Sequence, residues 1–183
     1  MLIDSVFSRA EGLKTGRTEW KSVDHTLEMG ERVRTAEQMK TIESQSAQET
    51  WETGRRMGQE ASPGQVIALT GDLGTGKTVF TQGFAAGLGI DESVNSPTFT
   101  ILQVYEEGRL PLYHFDVYRI GDPEEMLEIG WEDYVFGEGV CLIEWADLID
   151  DLIGELPGEK VTRVEIRKDL SRGADYRRIT VSQ

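Results

Sequence analysis

The sequence predicts a three-layer α/β domain built on a mixed, mainly parallel central sheet, and three observations carry that prediction. The run Val66–Thr70 is apolar without polar alternation, as expected of a parallel strand covered on both faces. It leads without a break into Gly71-Asp72-Leu73-Gly74-Thr75-Gly76-Lys77-Thr78 and then into an amphipathic stretch, so strand, glycine-rich turn and helix follow one another. Two further apolar runs, 112–115 and 140–143, each end in an acid, Asp116 and Glu144. Ligands of open α/β sheets gather at the carboxyl ends of strands, so the turn and both acids are expected around one site.

The elements follow in chain order. Residues 1–38 are polar and lack sustained periodicity, which predicts a weakly ordered N-terminal extension with one short helix near 23–34. The patterned domain, 39–183, opens with a short strand at 40–44. Ser46 followed by Glu49 forms a capping box, and Trp51, Met57 and neighbouring small residues mark a helix that Ser62-Pro63-Gly64 stops. After the central strand, Phe80, Phe84, Ala85 and Leu88 recur at helical spacing over 79–88, closed by Gly89. Strands at 98–105 and 110–115 are joined by Glu106-Glu107-Gly108-Arg109, a hairpin link. Asp122-Pro123-Glu124-Glu125 reads as a helix start, with Met126, Leu127 and Ile129 facing the core. A buried strand at 140–143 precedes a short acidic helix at 147–156, and after Pro157-Gly158 the segments 161–167 and 176–181 form an antiparallel pair.

Composition narrows the function classes. The 183 residues suit one domain with a core on both sheet faces. They carry 33 acidic against 19 basic side chains, a net charge of −14, without a dense Lys/Arg stripe. Strong direct binding to a polynucleotide is therefore excluded. The single cysteine, Cys141, lies in an apolar run and reads as a small buried hydrophobe in a reducing setting. No apolar stretch nears the roughly 18 residues of a membrane span, and the N-terminus lacks the apolar core of a secretion signal. A soluble cytoplasmic protein is expected.

The glycine-rich turn has the Walker A spacing, Gly71, four residues, then Gly76-Lys77-Thr78. Gly71, Gly74 and Gly76 accept backbone angles that let successive N–H groups turn inward around a phosphate. The anion then sits on a helix N-terminus, Lys77 reaches its outer phosphates, and the Thr78 hydroxyl takes a magnesium ion. Together with the strand before it and the helix after it, this predicts a P-loop NTPase-like fold. Hydrolysis also needs a carboxylate at the metal and a group that positions water, and Asp116 and Glu144 are the candidates for both. Which of them touches the metal directly is left open. Asn95-Ser96-Pro97-Thr98-Phe99 lies on a connection and reads either as a switch-like segment that senses a γ-phosphate or as an ordinary proline turn. His114 reads as a structural hydrogen-bonding residue rather than a base, and Trp145 as a shield over the site, an anchor for a partner, or packing.

Five segments in order resemble one family. Gly-Asp-Leu-Gly-Thr-Gly-Lys-Thr at 71–78, Ser-Pro-Thr-Phe-Thr at 96–100, His-Phe-Asp-Val-Tyr-Arg at 114–119, Asp-Pro-Glu-Glu at 122–125 and Leu-Ile-Glu-Trp at 142–145 are similar to those of the TsaE (YjeE) family. The resemblance implies the ATPase of tRNA threonylcarbamoyladenosine biosynthesis, slow alone and stimulated by its partners TsaD and TsaB. In that family ATP hydrolysis resets the complex that modifies adenosine 37 of tRNAs reading codons beginning with A, and tRNA is met only through the complex. By position, Gly74, Thr75, Gly76, Lys77, Thr78 and Val79 line the phosphates of ATP, and Thr78 with Glu144 holds Mg2+. Asp116 acts through the metal or its water, Thr98 lies in the switch-like loop, and Ser46 approaches the base. The 38-residue extension departs from the family's compact start.

Two rival classes leave weaker traces. A small-molecule kinase using the same loop usually closes an arginine-rich lid, and no arginine cluster precedes residue 160; Arg172, Arg177 and Arg178 lie in the terminal hairpin region. A regulatory GTPase usually reads guanine with Asn-Lys-x-Asp, whereas the only asparagine, Asn95, is followed by Ser-Pro.

Overall fold

Residues 39–183 are the ones this computed structural model describes, and the helix expected near 23–34 lies outside them. The strands are β1 (Met39–Ser44), β2 (Val66–Thr70), β3 (Leu102–Tyr105), β4 (Leu112–Asp116), β5 (Val140–Glu144), β6 (Val161–Lys168) and β7 (Arg177–Ser182). The helices are α1 (Ala47–Glu60), α2 (Lys77–Leu88), α3 (Glu125–Glu128), α4 (Trp131–Val135) and α5 (Asp150–Gly154). All seven strands join in one sheet, ordered β1-β7-β6-β2-β5-β4-β3. The sheet is mixed: β6, β2, β5 and β4 form a parallel centre, while β1, β7 and β3 pair antiparallel at its flanks. β2 is flanked by β5 on one side and β6 on the other, both reached by crossovers, so the sheet's connectivity diverges at its carboxyl end. That divergence opens a crevice where the glycine-rich turn begins.

Every side chain of β2 up to Leu69 is buried, which explains the absence of polar alternation. Ile67 and Leu69 pack with Phe80, Phe84, Leu142 and Val164 on the face covered by α1 and α2. Val66 and Ala68 pack with Phe115, Trp131, Ile143 and Ile149 on the face covered by the short helices. Cys141 is buried on that second face, and burial pushes its thiol pKa upward, so it serves as apolar filling.

Helix α1 is joined to α2 through its backbone more than through its apolar residues. Its buried positions are Thr50, Thr53, Gly54 and Gly58, whereas Trp51 and Met57 are only half-buried. A Cβ on Gly54 would lie 2.1 Å from the Phe80 carbonyl oxygen, and one on Gly83 would lie 2.0 Å from the Trp51 carbonyl oxygen. The helices therefore touch main chain to main chain, which no residue larger than glycine permits. The expected cap is present: Ser46 Oγ accepts from the Glu49 N–H at 3.2 Å. Glu49 reaches back to the Gln45 N–H at 2.7 Å, one residue earlier than the usual box.

Several boundaries differ from expectation for identifiable reasons. The helix after the turn starts at Lys77 rather than 79, because Gly76 supplies the left-handed residue that redirects the chain. The strand expected from 98 begins at Leu102, since Thr100 and Ile101 donate to the Pro97 carbonyl and Ile101 adopts φ 65°. After Asp122, which accepts from the Glu124 N–H, only Glu125–Glu128 is helical, and Leu127 is 52% exposed rather than in the core. The turn at Gly130 starts a further helix, α4, that periodicity did not predict, and the acidic helix expected over 147–156 is divided into a 3₁₀ turn, Ala146–Ile149, and α5.

Because α1 and α2 touch through backbone, Gly83→Ala should destabilise the fold by about 3 kcal/mol, a fall in Tm of roughly 10 °C. Gly154→Ala, where an added Cβ meets nothing within 4 Å, should leave the Tm unchanged. Equal melting of both variants would show that the two helices do not meet this closely.

Candidate functional site

The turn after β2 is shaped by contacts on its outer side. Gly71 adopts φ 141°, and a Cβ there would lie 2.3 Å from the Ile166 carbonyl oxygen of β6. Thr75 is buried within the turn, where its hydroxyl donates to the Asp72 carbonyl at 2.9 Å. Gly76, at φ 103°, opens α2 without a side-chain cap, so the first-turn N–H groups of α2 are left for a ligand or water. From behind, Arg177 Nε donates to the Thr75 carbonyl at 2.7 Å and Lys168 Nζ to the Leu73 carbonyl at 3.3 Å.

Lys77 is only 5% exposed. Its Nζ donates to the Gly71 carbonyl at 2.6 Å and the Asp72 carbonyl at 3.2 Å, and lies 3.5 Å from the centre of the Trp145 ring. Burial lowers its pKa, although the carboxylates of Glu144, Asp116, Asp147 and Asp72 pull the other way. A buried ammonium whose hydrogen-bond partners are neutral carbonyls is a strong attractor for an anion. Trp145 follows Glu144 at φ 63°, a left-handed turn that is costly for a tryptophan, and its ring packs against Tyr118 at 4.9 Å.

The two acids are register partners at the ends of adjacent parallel strands, Asp116 on β4 and Glu144 on β5. Glu144 is 2% exposed. Its Oε2 accepts from the Thr78 hydroxyl at 3.3 Å, and its Oε1 accepts from Thr81 at 3.0 Å and from His114 Nε2 at 3.2 Å. Asp116 Oδ2 accepts from Ser96 and from Thr98 at 2.9 Å, while Oδ1 accepts from the Tyr118 N–H at 3.1 Å. The Asp116 N–H in turn donates to the carbonyl of Ile101, a β-branched residue held at positive φ. The segment 96–101 is thus folded onto Asp116.

Lys77, Thr78, Ser96, Thr98, Asp116, Tyr118, Glu144 and Trp145 line a cleft of about 470 Å³. Of the residues expected at the site, it brings together Gly74, Gly76, Lys77, Thr78, Val79, Thr98, Asp116 and Glu144. Gly71 and Thr75 shape the turn without lining the cleft. Ser46 is also absent from the lining; its hydroxyl accepts the α1 cap bond. Ser96 belongs to the segment 95–99 read as switch-like, whereas Tyr118, Thr81, Lys168 and Arg177 are not among the residues the sequence places at the site. Thr81 could have been found from its place one helical turn after Thr78, and the proximity of His114 to the acids from its place two residues before Asp116 on one strand face. A second groove, of about 410 Å³, lies at the opposite end of the sheet between Lys40, Glu60, Gln65 and Lys160; of its charged residues Lys40, Glu60 and Glu159 are solvent-exposed and Lys160 is half-buried.

The oxygens of Thr78, Glu144 and Asp116 form a hard donor set suited to Mg2+. Among the described residues no group of three or more His, Cys, Asp or Glu side chains could hold a metal. Two carboxylates and a hydroxyl fit the habit of Mg2+, which completes its shell with phosphate and water.

Residues 44–178 match the family described as threonylcarbamoyl adenosine biosynthesis protein TsaE. The chain is 53% identical over 120 residues to the tRNA threonylcarbamoyladenosine biosynthesis protein TsaE of Bacillus subtilis, covering 66% of this chain and 70% of that one. It is 48% identical over 119 residues to the protein of the same name from Treponema pallidum, covering 65% and 85%. Its fold is similar to the crystal structure of Bacillus subtilis YdiB, with a TM-score of 0.66 and 40% identity over 80% of this chain and 86% of that one.

The bond from Arg177 gives the turn's geometry a direct test. A charge-assisted hydrogen bond lost in Arg177→Ala should speed hydrogen exchange at the amides of residues 74–76 by about 10–100-fold. Exchange in β2 should be unaffected, and identical exchange throughout would show that the hairpin does not hold the turn.

Proposed function

This chain belongs to the TsaE family, and on that premise we propose that it is a Mg2+-dependent ATP hydrolase serving tRNA threonylcarbamoyladenosine biosynthesis. The observation that carries the reading is the meeting of Lys77, Thr78 and Glu144 in one cleft at the end of the central strand. In this proposal the N–H groups of residues 74–79 and the Lys77 ammonium hold the phosphates, while Thr78 and Glu144 hold the ion. An ion held there would supply neutralisation of charge on the phosphates as the terminal phosphoryl group passes to water. Asp116 orients that water or the ion, and its tie to Ser96 and Thr98 supports a slow reaction in the isolated chain.

The remaining steps of the proposal concern partners. Hydrolysis resets the TsaD and TsaB transfer complex between turnovers, in the cytoplasm, and tRNA is bound by the complex rather than by this chain. The net charge of −14 supports that division of labour.

Lys77→Ala should weaken ATP binding by about 10–100-fold in calorimetry, through loss of charge-assisted bonds to phosphate. Asp116→Asn and Glu144→Gln should each slow hydrolysis on the order of 100-fold with the Tm within a few degrees of the unaltered protein. Full turnover with a collapsed Tm would assign both acids to folding instead. The deciding experiment is multiple-turnover tRNA modification by TsaD and TsaB with and without this protein. It should stall after the first round without the protein or with Lys77→Ala, and cycling at full rate in either case would overturn the proposal.

A further inference from the structure

We propose that His114 and Thr81 are positioning residues that occupy Glu144 Oε1, so that Oε2 is the oxygen presented beside Thr78 to the divalent ion. This rests on the metal-nucleotide reading above and adds to it which oxygen serves and what aims it. The two oxygens of Glu144 are inequivalent: Oε1 receives His114 Nε2 at 3.2 Å and Thr81 Oγ1 at 3.0 Å, while among the described residues Oε2 is bonded by the Thr78 hydroxyl alone, at 3.3 Å.

His114 is fully buried on β4, and its register partner Leu142 stands two residues before Glu144 on β5, which puts the imidazole and the carboxylate diagonally opposite on one sheet face. A carboxylate only accepts, so Nε2 carries the hydrogen. The other ring nitrogen, Nδ1, is buried without a hydrogen-bond partner among the described residues. An imidazole is therefore poor filling at this position, because a leucine occupies similar space without an orphaned polar atom. What the histidine offers that leucine lacks is the donor aimed at Glu144.

Thr81 supports the same oxygen from the α2 side. Its hydroxyl stands 3.0 Å from both the Lys77 carbonyl and Glu144 Oε1, and its one hydrogen is shared between them. Neither Thr81 nor His114 lines the cleft, so neither touches nucleotide or ion. Their effect passes through Glu144, whose carboxylate is fixed on one side before a ligand arrives.

The test uses the full chain with a non-hydrolysable ATP analogue and Mn2+, whose binding is followed by electron paramagnetic resonance. Three variants are compared: His114→Leu, which keeps bulk and removes the donor; His114→Gln, whose amide nitrogen restores a donor; and Thr81→Val. His114→Leu and Thr81→Val should weaken Mn2+ binding by about 10–100-fold, and His114→Gln should recover most of that loss. Binding of the analogue in EDTA should be unchanged in all three. Unaltered Mn2+ affinity in His114→Leu and Thr81→Val, or equal weakening in the Leu and Gln variants, would overturn the assignment. If His114→Leu fails to fold, Thr81→Val decides alone. If the unaltered protein takes up no Mn2+ with the analogue, the metal-nucleotide reading itself falls and this inference with it.

Discussion

A carboxylate buried at the end of an interior strand is the constraint around which this molecule is arranged. Glu144 continues the run Val-Cys-Leu-Ile of β5 into the protein interior, where an ionised group without partners is costly. Two neighbouring elements supply the compensation: α2 brings Thr78 and Thr81, and β4 brings His114. Lys77, buried on the same helix, adds an opposite charge, and the nearby carboxylates favour its charged form against the burial that lowers its pKa. The helix that begins the phosphate turn and the strand that ends in the acid are therefore bound to one another through the site itself.

The sheet order makes that meeting possible. With β5 and β6 on either side of β2, the turn after β2 is reached from one side by Glu144 and, one strand further, Asp116. From the other side it is backed by Ile166 and by the end of the β6–β7 hairpin through Lys168 and Arg177. The acids thus reach the turn from one side, and Lys168 and Arg177, which hold the Leu73 and Thr75 carbonyls, reach it from the other. Strain is concentrated in the same region, at Trp145 and Ile101, two non-glycine residues with positive φ that flank the acids on their respective connections. Such positions persist where surrounding contacts over-determine them, and here those contacts are the Lys77–Trp145 pairing and the folding of 96–101 onto Asp116.

Much of this was legible in the sequence because the informative signals are local. The apolar β2, the glycine spacing of the turn, the Ser46 cap and the acids closing two apolar strands all follow from residues within a few positions of one another. What was not legible depends on approach between distant segments. The glycines of α1 and α2 are visible as small residues, but only the approach of Gly54 to Phe80 and of Gly83 to Trp51 shows what they abut, and Arg177 reads as a hairpin charge until the Thr75 carbonyl lies against it. Thr81 and His114 were visible as residue types, but only the pairing of β4 with β5 and the docking of α2 direct them both at one oxygen. Helix ends between 120 and 156 were misplaced because the elements there are four or five residues long, too short for periodicity to define.

The central claim, a triphosphate and its divalent ion held between the turn after β2 and the ends of β4 and β5, is tested most directly by a crystal structure of the protein with Mg2+ and a non-hydrolysable ATP analogue. The account predicts phosphate oxygens against the N–H groups of residues 74–78 and Lys77 Nζ, with Mg2+ about 2.1 Å from Thr78 Oγ1 and bound, directly or through water, to Glu144. A triphosphate seated elsewhere, or an ion with neither Thr78 nor either acid in its surroundings, would contradict it.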